Sequence, residues 1–320
     1  MTSWQGNIAK ITLPTSFAVG DVNVYVIKGE ALTMIDSGVR TDQSREVLEQ
    51  ELNTLGLQLS DIEQVVLTHH HPDHAGGLEF VSDQCQIYGH PTNQRWLDMP
   101  ESFVGQLTQF FTQLARELGV PEEYYSKLID YRGPGSVITT RGLSACVGEG
   151  DVVPGLPEWR VIETLGHAQS HISLFREKDG VLIGGDHLLA KISPNPILEP
   201  ALEPGAERPK PLLQYNEALK KLLKIPVSLV YSGHGAEITQ IPELIQSQLN
   251  RQHNRAMQVK EMLAQSPLTG LQVCMQLFPK VYKKQFGLTL SESVGQLDYL
   301  EDLGEIKHET HSGVIYYSVR

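Results

Sequence analysis

One stretch of the chain concentrates side chains that bind metal ions: Thr68-His69-His70-His71-Pro72-Asp73-His74-Ala75-Gly76-Gly77. Imidazole nitrogens and carboxylate oxygens are ligands that zinc accepts, at about 2.0–2.2 Å from the ion. In extended backbone His69 and His71 point to the same side, because side chains alternate with period two. Two ligands on one ion need that arrangement. Asp73 and His74 sit where the strand turns into a helix, so they can face a second ion close by. That spacing suits a two-metal centre, which activates water and polarises a substrate oxygen. The interior position and the carboxylate set this run apart from a loose histidine tract.

The run has distant companions. Gly166-His167, Gly184-Gly185-Asp186 and Ser232-Gly233-His234-Gly235 each follow an apolar strand. Glycines beside a ligand permit close backbone approach. Nine of the 12 histidines fall between His69 and His234, so the enrichment follows these motifs. Four others in that interval carry weaker signals. His70 is expected to point away from His69 and His71. His171 could orient a ligand by hydrogen bonding, with a backbone-bonded strand histidine as the equal alternative. His187, directly after Asp186, and His90, in Gly89-His90-Pro91, are candidate pocket residues acting as substrate contact or acid. His253, His308 and His311 are expected to carry no chemistry.

Positioning these residues requires strands that end on one edge. Val22–Ile27 and Leu32–Ile35 read as a hairpin ending at Asp36-Ser37-Gly38. Val47, Leu48, Leu52 and Leu55 give helical spacing. Ile62–Leu67 reads as a buried strand running into His69, followed by a short strand at 86–88. Trp159–Thr164, His171–Phe175, Val181–Ile183 and Val227–Tyr231 read as further strands. The alternation suggests sheet with helices on its outer faces. Residues 92–135 break the pattern with helical, aromatic-rich sequence, interrupted at Pro100 and Pro121. The readings are an inserted helical pair with its own small core, or a lid. Residues 191–211 carry six prolines and read as an irregular crossing. Beyond 240, Ile241–Gln265, 268–278 and 291–303 read as helices, with Gly304 as a stop. A strand pair at 305–309 and 314–319 closes the chain. That order is the order of a winged-helix module. The expected domains are 1–240 and 241–320.

Composition narrows the classes. Hydrophobic residues make up 40% of 320 and charged residues 20%, enough for a sizeable core. Lys plus Arg total 26 against 38 Asp plus Glu, a formal charge of -12. That balance argues against a protein that coats nucleic acid or anionic membrane. Cys85, Cys146 and Cys274 have no paired spacing, which excludes a disulfide scaffold and fits a reducing compartment. No basic stretch leads into an apolar one near the start, and no apolar run approaches the ~20 residues that span a bilayer. A soluble cytoplasmic protein is expected.

Residues 10–240 resemble the metallo-β-lactamase-fold hydrolase superfamily. The motifs that carry the likeness are Thr68–His74, Leu165-Gly166-His167, Gly185-Asp186 and Gly233-His234-Gly235, in the family's order. The resemblance implies an α+β fold, a four-layer αβ/βα sandwich with metals at one edge. It implies His69, His71 and His167 on one metal, Asp73, His74 and His234 on the other, and Asp186 bridging. It implies two Zn2+ ions, with Mn2+ or Fe2+ also accepted by such ligands. Asp36 matches the family's structural Asp near the metals. Asp73 with a bridging Asp186 looks like the glyoxalase II and lactonase side. The tail is unlike the glutathione-binding tail of glyoxalase II. It looks like a small C-terminal winged-helix-like domain found on one branch of the superfamily.

The expected function is a metal-dependent hydrolase, in which a dinuclear zinc-bound hydroxide cleaves a small-molecule ester, thioester or lactone. Asp73 is both ligand and candidate catalytic residue. Two divalent ions outweigh Asp73, Asp186 and hydroxide, so the centre suits an anionic substrate. The alternative is a nuclease whose tail assists RNA binding. Charge speaks against it: residues 290–303 include Glu292, Asp298, Glu301 and Asp302 and no Lys or Arg. Leu290, Val294, Leu297 and Leu300 read as packing against the hydrolase domain or a second copy, so the tail is expected to have a structural role or to form a homodimer. A scaffold with structural metals is the weakest reading, since open metal positions suit water activation.

Overall fold

The computed structural model describes residues 2–129, 138–203 and 205–320. It forms two compact units, and neither is continuous in sequence. Unit 1 is Met1–Asp98, Val137–Pro194 and Lys220–Leu244; unit 2 is Met99–Ser136, Asn195–Leu219 and Ile245–Arg320.

Unit 1 is built on two sheets. The first runs in chain order through β1 (Trp4–Gln5), β2 (Ile8–Leu13), β3 (Val22–Lys28), β4 (Leu32–Ile35), β5 (Gln64–Val66), β6 (Gln86–Gly89) and β7 (Ala145–Cys146). Pairing is antiparallel up to β4 and parallel from β4 onward. The second sheet contains β8 (Val152–Val153), β9 (Leu156–Glu163), β10 (Ile172–Arg176), β11 (Val181–Gly185) and β12 (Leu229–Ser232), in the order β12-β11-β10-β9-β8. Helices α1 (Asp42–Thr54), α2 (Pro72–Ala75) and α3 (Asn93–Asp98) belong to this unit.

The strands are apolar on both faces, and the two faces meet different partners. Val24, Val26, Met34 and Val65 pack with Leu48 and Leu52 of α1. Their sequence neighbours Tyr25, Ile27, Ile35 and Val66 pack with Trp159, Val161, Ile172, Leu174 and Ile183 of the second sheet. Period-two alternation thus feeds a helix–sheet core and a sheet–sheet core from the same strands. The hairpin at β3–β4, the helix after it and the strands leading to each histidine motif form where the hydrophobic pattern places them.

Unit 2 holds α4 (Glu101–Glu117), α5 (Tyr125–Ile129), most of α6 (Pro211–Leu222) and of α7 (Ile241–Gln265), then α8 (Gly270–Leu277) and α9 (Phe286–Asp302). Its sheet is β13 (Leu268–Thr269), β14 (Ile306–His311) and β15 (Val314–Val319), in the order β13-β15-β14. Helix α9 is buried on every side from Thr289 to Asp298. Leu297 and Leu300 pack against Ala256, Val259 and Leu263 of α7. The proline-rich crossing lies along α9. Leu198 N–H donates to Ser291 Oγ at 2.7 Å, and the Arg208 guanidinium forks onto Asp298 at 2.8 and 2.6 Å.

The insert departs from the expectation of a helical pair with its own core. Its first helix, α3, belongs to unit 1. In unit 2, Phe111, Leu114 and Leu128 line one small apolar cleft together with Ile197, Leu198 and Leu290. The insert shares its apolar surface with the crossing and with α9. Tyr131, an aromatic of the insert, lies outside the described residues. Among the described residues no helix is long and apolar enough to cross a membrane.

Candidate metal centre

Four strand ends of unit 1 deliver the side chains. β5 runs into Thr68–His71, β9 into His167, β11 into Asp186 and β12 into His234. After His71 the chain turns directly into α2, with Pro72 in its first turn, and this reversal carries Asp73 and His74 back toward the same point. The turn packs close because Gly76 and Gly77 lack side chains. A Cβ on Gly77 would sit 1.9 Å from Ser37 O, and one on Gly76 would sit 2.7 Å from Arg40 N.

The structure brings seven of the expected ligands into three overlapping groups: His69, His71 and His167; His69, His74 and Asp186; Asp73, His74 and His234. The ligand atoms within each group lie within 4.8 Å of one another. Asp186 stands between the groups. Its Oδ2 is 3.5 Å from His167 Nε2 and 3.4 Å from His234 Nε2, and its Oδ1 is 3.4 Å from His74 Nε2. Asp73 Oδ2 is 3.4 Å from His234 Nε2. Gly233 makes room for this. A Cβ there would fall 2.2 Å from Asp186 Oδ1.

A second layer of hydrogen bonds turns the rings. Asp36, held at φ 59 at the end of β4, accepts the Thr68 N–H at 2.7 Å on Oδ1. Its Oδ2 accepts the Thr68 hydroxyl and His74 Nδ1–H, both at 2.8 Å. With its proton given to Asp36, the Thr68 oxygen is left to accept from His69 Nδ1 at 3.0 Å. His234 Nδ1 donates to Asp21 O at 2.8 Å. In all three rings Nδ1 is thereby committed outward and Nε2 faces the shared centre, the arrangement that orients histidine ligands in metal sites. A metal fits these residues. Nε2 of His74 and His234 and Oδ1 of Asp186 are buried and make no well-formed hydrogen bond, an expensive state unless an ion satisfies them.

Electrostatics point the same way. Burial pushes the His74 pKa down, yet the carboxylates of Asp186, Asp36 and Asp73 outweigh it and raise it well above the ordinary value. Burial likewise lowers His234, but Asp186 and Asp73 lift it to about 10. Burial would raise Asp186, and the facing His74 and His234 hold it well below the usual carboxylate range. His69, farther from the carboxylates, is driven well down by burial and by its neighbouring rings. The carboxylates therefore favour positive charge at the centre, which a divalent cation supplies.

The remaining histidines have distinct places. His70 points away from the ligand cluster, as expected; it stacks on Trp96 at 4.4 Å with planes 2° apart, and its Nδ1 is 2.8 Å from Ser170 Oγ. Trp96 is one of the aromatics of the 92–135 insert. Nothing local signals this contact. His171 Nε2 accepts the backbone N–H of Asp186 at 3.0 Å. His187 is fully buried, 6.2 Å ring to ring from His171. His90 lies with Nε2 3.4 Å from Glu163 Oε1, and burial lowers its pKa against the pull of that carboxylate.

Comparison with known proteins agrees with this centre. The model of the metallo-beta-lactamase superfamily matches residues 18–234. The chain is 44% identical over 313 residues to a probable metallo-hydrolase, YqjP, of Bacillus subtilis, covering 97% of both chains. It is 23% identical over 247 residues to an atrochrysone carboxyl ACP thioesterase of Claviceps purpurea, covering 77% of this chain and 61% of that one. Among solved structures, the metallo-beta-lactamase family protein TTHA1429 of Thermus thermophilus superposes with TM-score 0.79 at 25% identity, over 98% of this chain and 99% of that one. The likeness extends through both units, and with the histidine and aspartate motifs at converging strand ends it shows that this chain belongs to the metallo-beta-lactamase superfamily.

Proposed function

We propose that the chain is a hydrolase that holds two zinc ions and cleaves a small-molecule thioester, ester or lactone. The observation that carries this reading is the chain of three ligand groups, the first joined to the second through His69 and the second to the third through His74, with Asp186 in the middle group. Overlapping groups suit two ions held close together, with Asp186 as the shared carboxylate. Such ions, when bound, supply a hydroxide nucleophile near neutral pH and a Lewis acid for the substrate oxygen. The chain's own part is to fix that pair. Asp36, Thr68 and Asp21 O hold the rings with Nε2 inward, and burial keeps bulk water from the ligands. Asp73 and Asp186 together offset only part of the charge of two divalent ions, which favours an anionic substrate. His90, beside Glu163, is the candidate for proton handling. His187 has no exposed surface through which to meet a substrate.

A thioester is the first substrate to test, because a relative is named as an ACP thioesterase. Against the nuclease alternative, the polar side chains of α9 from Thr289 to Asp298 are buried, and those beyond them, Glu301 and Asp302, are acidic. The test is a panel of thioester, lactone, phosphodiester and RNA substrates on zinc-loaded protein. Turnover of an acyl substrate that Asp73→Ala removes is the expected result. RNA or phosphodiester cleavage without acyl turnover would replace this reading.

A further inference from the structure

We infer that His171 is a positioning residue: as the neutral Nδ1–H tautomer it closes a hydrogen-bond ring that clamps the end of β11 and fixes Asp186. This rests on the two-metal reading for its consequence, though not for its geometry.

The ring can be followed proton by proton. The Ser173 hydroxyl donates to Gly184 O at 3.4 Å. Its oxygen therefore accepts from the Thr164 hydroxyl, 2.9 Å away. With that proton directed to Ser173, the Thr164 oxygen accepts from His171 Nδ1, at 2.8 Å. The proton of the neutral ring is thus on Nδ1, and Nε2 is left as an acceptor for the Asp186 N–H at 3.0 Å. The path leaves β11 at Gly184 and rejoins the chain at Asp186, the residue just past the strand. Each member is buried. A ring whose Nε2 accepts a backbone N–H carries its single proton on Nδ1 and is neutral.

The residue between the two ends must be glycine. Gly185 takes φ +49, and a Cβ there would lie 2.8 Å from both His171 Nε2 and Thr68 Oγ1. The position therefore combines a left-handed backbone with a direct approach of the imidazole. The ring also accounts for a histidine close to the centre that joins none of the ligand groups: its Nε2 is already committed to a backbone donor. The consequence is mechanical. The start of the Asp186 side chain is set by strands β9 and β10 rather than by the metals. Losing this outer support should weaken metal binding by the 10- to 100-fold typical of such changes.

The experiment compares full-length wild type, Thr164→Val, Thr164→Ser and His171→Ala. Nitrogen–proton correlation spectra of the metal-free protein read the His171 tautomer. Competition with a chromophoric chelator reads zinc affinity, and cobalt substitution reads ligand geometry from its visible spectrum. Expected are Nδ1–H on His171 in wild type, zinc affinity about tenfold weaker with an altered cobalt spectrum in Thr164→Val, and recovery in Thr164→Ser. His171→Ala should weaken zinc at least as much; if it fails to fold, the threonine pair still decides. An Nε2–H tautomer would overturn the inference, as would wild-type affinity and cobalt spectrum in Thr164→Val. So would affinity losses matched by lost folded fraction and not restored by serine. Wild type that binds fewer than two ions removes the two-metal reading while the tautomer still judges the ring.

Discussion

Each unit buries a cluster of polar and charged side chains, and the two clusters are arranged in opposite ways. In unit 1 the Nε2 atoms of His74 and His234 and Oδ1 of Asp186 converge without forming good hydrogen bonds among themselves. In unit 2 the polar groups around α9 find side-chain partners: Arg208 with Asp298, Arg255 with Glu292, Gln296 with Gln252 and Tyr215 with Gln248. A buried polar group left without its partner is costly. The first arrangement is therefore costly unless something is added, whereas in the second each of these charged side chains faces an opposite charge. The contrast separates side chains that could hold an ion from side chains that pair with one another, although both clusters look alike as buried charge.

The most severe way to break this comparison is to remove Asp186. Asp186→Ala should reduce turnover by well over the ~100-fold upper range of outer-layer changes. It should also lower the number of ions retained after dialysis. Gly233→Ala sharpens the point without touching a ligand. Its added Cβ would collide with Asp186 Oδ1 and lie 2.9 Å from His74 Cε1. The same loss of metal and turnover is expected, with circular dichroism unchanged. Full activity in Gly233→Ala would mean that Asp186 does not need its present place.

In unit 2 the expected loss is stability. Arg208→Ala leaves the Asp298 carboxylate, 3% exposed, without its fork. Breaking one side of a buried pair costs about 3–5 kcal/mol. Replacing both by apolar residues should cost much less, for the same reason. Turnover per folded, zinc-loaded molecule should stay within about twofold, since most measured coupling between separate sites is small. The pH dependence has a definite sign. Burial holds the Asp298 carboxyl above its ordinary 3.8 even against Arg208. Between those two values the folded chain binds more protons than the unfolded chain, so this group's contribution to stability rises as pH falls through that window. Urea unfolding at several pH values, followed by a probe in unit 2, measures it.

Much of unit 1 was legible because its signals are local. Period two on β3, β4 and β5 marks the strands, and the alternation of motif and strand marks the ligands. The long polar stretch Ile241–Gln265 reads as a helix and forms one with those bounds. What could not be read depends on partners far along the chain. Ser291, Glu292, Ser293 and Gln296 look like the polar face of an exposed helix, and only the crossing of 195–208 and Arg255 turns them inward. Leu290, Val294, Leu297 and Leu300 read as packing against residues 1–240 or a second copy; all four are buried, Leu290 beside Phe111, Leu114 and Leu198 of the first 240 residues, and Leu297 and Leu300 against α7 of the tail itself. The His70–Trp96 stack and the His70–Ser170 bond, across 100 residues, leave no periodic trace. Strands of two residues, such as β1, β7 and β8, are too short to show any period.

A third kind of polar group, at the surface of unit 1, should respond least. Glu79 Oε1 accepts the hydroxyls of Thr139 and Thr140, each at 2.9 Å, and lies 3.9 Å from Arg40 Nη1. Slight burial would raise its pKa, but the bonds from Thr140 and Thr139 and the charge of Arg40 bring it below the ordinary 4.5. The folded chain thus holds this proton less tightly than the unfolded one. Its stabilisation is present above about 4.5 and fades as pH falls through the lower folded value. Solvent screening limits the effect, so Glu79→Gln should cost no more than about 1 kcal/mol at neutral pH. The variant and wild-type melting curves should approach each other in acid, and zinc content should not change. A loss as large as that of Arg208→Ala, or one that grows as the pH is lowered, would mean that Glu79 belongs with the paired interior groups and not with the surface.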